Sequence, residues 1–168
     1  MTPGPSPCSS KCYVTAATGS NMKIADIITE AGQPEIYYFA YGMLTDPKLM
    51  QGVTRIGAAT LPNHAFELLQ FANVYPEAGS HVDGVLWSID HNMQGHLDKV
   101  EGYPHFYDRK TVPVFVGGKR YEAAVYMMTP ESQESLEGTW PKKNYVEKIV
   151  RGYKAAGVPF DQLQRALA

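Results

Sequence analysis

Cysteine is nearly absent from this chain. Of 168 residues only Cys8 and Cys12 are cysteines, both within the first dozen positions. That excludes a disulfide framework for everything downstream, so the chain must fold on its apolar core. The pair amounts at most to half a zinc site. No second cysteine pair accompanies it, and His64, His81, His91, His96 and His105 are scattered rather than set at ligand spacing. No metal and no other cofactor is expected.

Charge of one sign is also missing. The 15 Lys and Arg against 17 Asp and Glu give a net charge of −2 and a pI near 6.2. A nucleic-acid binder needs a basic field, which this balance does not provide. Long hydrophobic runs are lacking too, and a stretch such as Ile36 to Ala40 is far too short to cross a bilayer. Neither nucleic acid nor membrane is expected as a partner, and the expected compartment is the cytoplasm. No internal repeat is found. What remains is a chain with 44% hydrophobic and 19% charged residues, the composition and length of one globular domain with its own core.

Residues 1–21 differ from the rest. Proline, serine and glycine dominate them without periodicity, and they show no charged segment leading into an apolar run. They read as a flexible N-terminal extension, with a single domain over residues 22–168. A short helix is expected over residues 25–31 before the first strand.

The most informative stretch is Ile36-Tyr37-Tyr38-Phe39-Ala40-Tyr41-Gly42-Met43-Leu44. Residues of strong strand preference stop at Gly42, and Thr45-Asp46-Pro47 then reads as the opening of a helix. Gly42 permits a positive φ and a close backbone approach to a ligand. Unpaired N–H groups at such a turn can hold a carboxylate or a carbonyl oxygen.

The second feature is Leu97-Asp98-Lys99-Val100-Glu101-Gly102-Tyr103-Pro104. Asp90 caps a helix on which Met93, Leu97 and Val100 share a face, and Gly102 and Pro104 end it. Glu101, four residues beyond Leu97, falls on the apolar face at the negative end of the helix dipole. Burial and dipole both oppose its anion, so its pKa is expected to rise toward the range a general acid/base needs. A Glu that merely borders the core, with a solvated tip, fits the same spacing.

Phe66 to Phe71 and Val82 to Ile89 read as strands, the latter placing Val85, Trp87 and Ile89 on one face. Thr111 to Val116 and Lys119 to Met127 flank Gly117-Gly118, a strong hairpin signal. Val146, Ile149, Val150 and Tyr153 mark an amphipathic helix ending near Gly157-Val158-Pro159, and Phe160, Leu163 and Leu167 suggest a last one. Strands outnumber helices and hairpins outnumber βαβ units. The expected class is α+β, with a small, mostly antiparallel, closed or nearly closed sheet.

The order and spacing of these segments resemble the γ-glutamylcyclotransferase-like (AIG2-like) family. The resemblance rests on Tyr41-Gly42-x-Leu44, Val82-Asp83-Gly84-Val85-Leu86-Trp87, Leu97-Asp98-x-x-Glu101-Gly102 and Tyr107. It continues through Tyr126-Met127-Met128 and Tyr145 to Gly157-Val158-Pro159, covering roughly residues 36–167. It implies a small mixed barrel with helices packed outside. It also implies a cofactor-free acyltransferase that cyclises a γ-glutamyl compound to 5-oxoproline and releases an amine or amino acid.

Glu101 would then be the acid/base. Backbone N–H groups from Tyr41 to Leu44 (Tyr41, Gly42, Met43, Leu44) would hold the oxyanion, and Tyr107, Tyr126 and Tyr145 would line the pocket. Tyrosine is also common in barrels simply as an amphipathic wall residue. Arg109 and Lys110 read as solvated strand-edge charges, with Arg109 a candidate carboxylate clamp. Met43 stands where many family members carry a small polar residue, which removes a hydroxyl contact and makes the loop more apolar. Two other readings fit the same residues: a non-catalytic small-molecule-binding or regulatory domain, and a different Glu-based amide-processing enzyme. The leaving group, and whether the chain is a homodimer, are left open.

Overall fold

The computed structural model describes residues 35–168. Cys8, Cys12, the extension at residues 1–21 and the helix expected at residues 25–31 lie outside that range. Five strands close into a barrel: β1 (Ile36–Ala40), β2 (Thr54–Leu68), β3 (Ala72–Ile89), β4 (Tyr107–Val116) and β5 (Lys119–Met128). Their order around the barrel is β1-β3-β2-β4-β5. β1 pairs antiparallel with β3, from Ile36 opposite Ile89 to Ala40 opposite Val85. It pairs parallel with β5, Tyr37 opposite Ala123 and Tyr38 opposite Ala124, which completes the closure. The class is the expected one, a mixed and mostly antiparallel barrel in an α+β chain.

The helices are α1 (His91–Glu101), α2 (Pro130–Ser135), α3 (Lys143–Ala156) and α4 (Asp161–Leu167). Asp90 caps α1 by accepting a hydrogen bond from Met93 N at 2.7 Å. Gly102 ends α1 in the left-handed conformation, φ 66°, which a glycine adopts without steric cost. Gly117 and Gly118, at φ 55° and 82°, make the mirror-image turn that joins β4 to β5. α2 was not anticipated, although Thr129 followed by Pro130 is an N-cap with proline at the first helical position.

Several expectations need correction. No α-helix opens at Thr45-Asp46-Pro47; a 3-10 helix covers only Met43–Thr45. Asp46 precedes a proline, which forces it to an extended conformation (φ −75°, ψ 116°) and stops the helix. The strand expected over Phe66 to Phe71 is the tail of β2, and residues 69–71 form the turn, with Leu69 N donating to Phe71 O at 3.1 Å. β2 runs back through Gly57 and Pro62 because bulges between Arg55 and Gly57, and between Pro62 and His64, absorb these residues. Val82 to Ile89 does not alternate cleanly. Val85, Leu86 and Trp87 are 0, 0 and 2% exposed, so both faces of β3 are covered here.

The core fills the barrel and the space beneath α3. Ile149, Gly152, Tyr153 and Ala156 form the buried stripe of α3 at helical spacing. Gly152 is needed for contact rather than conformation. A Cβ there would lie 2.2 Å from Thr45 Oγ1 and 2.6 Å from Asp46 N, so α3 rests directly on the backbone after β1.

Candidate active site

A cavity of about 540 Å³ opens at the end of the barrel away from the Gly117-Gly118 turn. The loop after β1 contributes Tyr41, Gly42, Met43 and Leu44, and α1 contributes Glu101. Tyr107 comes from β4, Tyr126 from β5 and Tyr145 from α3. All eight positions singled out from sequence therefore border one space, although five separate elements supply them.

Glu101 is the last residue of α1, and its direction is set by the turn that follows. Gly102 N–H bonds back to Asp98 O and Lys99 O, and Tyr103 N reaches Asp98 O at 2.9 Å. The Glu101 side chain is half-buried and makes no hydrogen bond or ion pair among the described residues. Burial alone pushes its pKa up from 4.5 to about 7. The surrounding phenols all move up as well. Tyr38 and Tyr41 rise well above 10, driven first by burial and further by the Glu101 charge. Tyr145 is pushed up to about 12 for the same two reasons, while its bond to Ala72 acts the other way. Among the lining groups whose pKa is displaced, only Glu101 reaches neutrality, whereas the tyrosines stay protonated.

The loop is braced from behind. Tyr153 Oη donates to Tyr41 O at 2.6 Å and itself accepts from Gln162 Nε2 at 2.7 Å. Trp87 Nε1 donates to Leu44 O at 3.2 Å, and Arg151 Nε pairs with the buried Asp46 carboxylate at 2.5 Å. Thr45 N and Asp46 N close the 3-10 turn onto Gly42 O and Met43 O. The N–H groups of Gly42, Met43 and Leu44 have no backbone acceptor among the described residues, as the first positions of a helical turn dictate.

Gly42 is not at positive φ. Its φ is −110°, and what the site uses is its small size: a Cβ would lie 3.2 Å from the Ala72 Cβ and 3.5 Å from Tyr145 Oη. The side chain of Met43 is half-buried and packs on the core, so from this residue the N–H is the polar group at the cavity.

The tyrosines are not equivalent. Tyr41 Oη donates to Tyr126 O at 2.5 Å and Tyr107 Oη to Ala72 O at 2.6 Å, so both protons are committed to the protein. Tyr126 Oη donates to Asp98 Oδ1 at 2.6 Å. Tyr145 Oη instead accepts from Ala72 N at 3.0 Å, which leaves its own proton to donate into the cavity.

Arg109 is neither a solvated edge charge nor a free clamp. Its guanidinium pairs with Asp98 and lies 4.7 Å from the centre of the Tyr103 ring, tying the last turn of α1 to β4 and β5. Lys110 is exposed, as expected.

Sequence reasoning missed Tyr38, Phe71, Asn144 and three lysines, Lys99, Lys142 and Lys148, all of which border the cavity. Tyr38 lies in the strand already singled out, whereas nothing in the local pattern distinguishes the lysines from surface charges. Among the described residues no group of three His, Cys, Asp or Glu side chains forms a metal-holding cluster, and no helix is long and apolar enough to cross a membrane.

The "Gamma-glutamyl cyclotransferase, AIG2-like" family model matches residues 38–146. A Drosophila melanogaster protein named "Putative gamma-glutamylcyclotransferase CG2811" is 28% identical over 96 residues, 52% of this chain. The match spans only 60% of that relative's length. An uncharacterized protein from Homo sapiens has the same fold, with a TM-score of 0.70 at 22% identity over 81% of this chain and 88% of the human one. A structure described as gamma-glutamyl cyclotransferase superposes with a TM-score of 0.67 at 21% identity, over 80% of this chain and 88% of the other. With the barrel, the family match and the convergence of Tyr41-Gly42-x-Leu44 with Glu101-Gly102 on one cavity, this chain belongs to the γ-glutamyl cyclotransferase, AIG2-like family.

Proposed function

We propose that the protein is a γ-glutamyl cyclotransferase: it turns a γ-glutamyl amine or γ-glutamyl amino acid into 5-oxoproline and the free amine. The observation that carries this reading is the Glu101 carboxyl, which has no partner among the described residues and a pKa raised to about 7, in the same cavity as β1-loop N–H groups that have no backbone acceptor among those residues. Glu101 takes a proton from the substrate's α-ammonium group. The freed amine nitrogen bonds to the γ-carbonyl carbon, and the carbonyl oxygen becomes an oxyanion within reach of the Gly42, Met43 and Leu44 N–H groups. The bond from that carbon to the leaving nitrogen then breaks as the carboxyl of Glu101 delivers its proton there, and the regenerated carboxylate takes the surplus proton from the ring nitrogen and passes it to the released amine.

The four protons on the substrate's two nitrogens end as one on the lactam and three on the released ammonium. The reaction consumes no water and involves no redox change. A pKa near 7 suits both halves of this cycle, because base and acid forms are both populated at neutral pH. The aromatic walls hold the chain folded back on itself, which converts proximity into rate.

The test is release of 5-oxoproline from γ-glutamyl amino acids, glutathione and ε-(γ-glutamyl)lysine, with nothing added but buffer. Turnover of at least one is expected, whereas a folded protein that binds these compounds and releases none would make it a binding domain on this barrel.

A further inference from the structure

Among the described residues the cavity lining carries one acid, Glu101, and three bases, Lys99, Lys142 and Lys148. Lys99 is in the last turn of α1, Lys142 is the residue before α3 and Lys148 lies one turn beyond Tyr145. They come from two separate parts of the lining, the end of α1 and the start of α3, and Lys99 and Lys142 are exposed. None of the three has a carboxylate within 4.0 Å among the described residues. Their neighbour Lys143, which does not line the cavity, pairs with Glu147 at 3.8 Å. A chain of net charge −2 thus gathers three uncompensated cations around one mouth. Like charges concentrated on a low-dielectric rim repel one another and draw anions in.

We propose that Lys99, Lys142 and Lys148 select a leaving group that carries its own carboxylate, the free terminus of an amino acid or short peptide. This rests on the cyclotransferase reading above. Glu101 and the loop N–H groups engage the reacting amine and carbonyl inside the cavity, so the departing portion of the substrate points to the mouth. The glutamyl α-carboxylate accounts for one of the three lysines, and a second anion on the leaving group accounts for the others. A substrate whose departing part is a neutral alkylamine leaves that rim unmatched.

The experiment compares γ-glutamylglycine with γ-glutamylglycinamide, which differ only in whether the leaving group carries the charge. Both give 5-oxoproline, read by kcat/KM. Exposed ion pairs are each worth a few-fold, so the two lysines left for the leaving group together predict a preference for the acid of about tenfold. That ratio should shrink toward unity in 1 M salt and in the Lys99→Met, Lys142→Met and Lys148→Met variants, singly and combined. The single variants change exposed or half-exposed side chains, so they keep the test available if the triple variant folds poorly. Equal turnover of acid and amide, or a preference that survives both salt and substitution, overturns the proposal while leaving the cyclotransferase in place. Absence of 5-oxoproline from γ-glutamylglycine as well as from its amide overturns this inference, and the cyclotransferase reading falls with it only if glutathione and ε-(γ-glutamyl)lysine release none either.

Discussion

Glu101→Gln should abolish the proposed cyclotransferase turnover and stabilise the protein, and the second effect should depend on pH in a calculable way. Burial raises the Glu101 pKa from 4.5 to about 7. Between these values the unfolded chain has released the proton while the folded chain still holds it. Stability therefore falls as pH rises through that window, and the full loss is present above pH 7. At 1.36 kcal/mol per pKa unit the difference amounts to about 3 kcal/mol, of which about 2–3 kcal/mol develops between pH 5 and pH 8. Glutamine is nearly isosteric and never ionises, so the variant escapes the whole loss. The assay is urea unfolding of both proteins at pH 5, 6, 7 and 8, with thermal melts in parallel. The gap between variant and wild type should widen with pH, by about 2–4 °C in Tm per kcal/mol for a chain of this size. Over the same range wild-type kcat/KM should rise with pH and level off above about 7. The variant should lose about 10²–10⁴-fold in rate. A stability gap that stays flat from pH 5 to pH 8 would refute the desolvation that raises the Glu101 carboxyl. A variant that keeps more than about a tenth of the wild-type rate would refute its role as base.

Tyr145→Phe removes the acceptor of the Ala72 N–H and a phenol proton that is free to donate into the cavity. It should cost about 1–3 kcal/mol by denaturant unfolding and lower kcat/KM by about tenfold or more, whereas Tyr126→Phe, whose hydroxyl is bonded to Asp98, should raise KM much less. Gly152→Ala drives a Cβ onto Thr45 Oγ1 at 2.2 Å and onto the backbone at Asp46 N, where no rotamer change relieves it. Unfolding should show a loss of at least about 2 kcal/mol, and residual activity should fall further than stability does because the loop itself is displaced.

The helix ending at Glu101-Gly102 was legible because the Asp90 cap, the Met93 and Leu97 spacing and Gly102 all act within one helix, where cap and period are local, whereas Val100, expected on the same face, is 53% exposed. The β4–β5 hairpin was legible for the same reason, from two adjacent glycines between strand-forming runs. β2 and β3 were only half visible, since Gly57 and Pro62 look like strand breakers until a partner strand accommodates them as bulges. The alternation expected after Val82 failed because helices and loops cover the outer face of the barrel, and their coverage is a tertiary fact. Of the two reasons for a glycine at position 42, the positive φ does not hold, since its φ is −110°. The residues that crowd it, Ala72 and Tyr145, are distant in sequence, so only the fold shows that space rather than φ makes it glycine. Arg109 was misjudged on the same ground, because its partner Asp98 belongs to another element.

The brace behind the β1 loop sets an order of events. Tyr41 is joined to Tyr153 across 112 residues, and Asp46 to Arg151 across 105. Contacts of such span form late, after the closure of the intervening chain has been offset by packing. As the polypeptide is made from its N-terminus, the loop emerges early and waits for Arg151, Gly152, Tyr153 and Gln162, all beyond the family-matched residues 38–146. An unfinished chain can therefore hold every side chain that lines the cavity and still lack the support that shapes it. The cavity thus takes its shape only once Asp161–Leu167 has docked, because Gln162 holds the Tyr153 hydroxyl that in turn holds the loop at Tyr41.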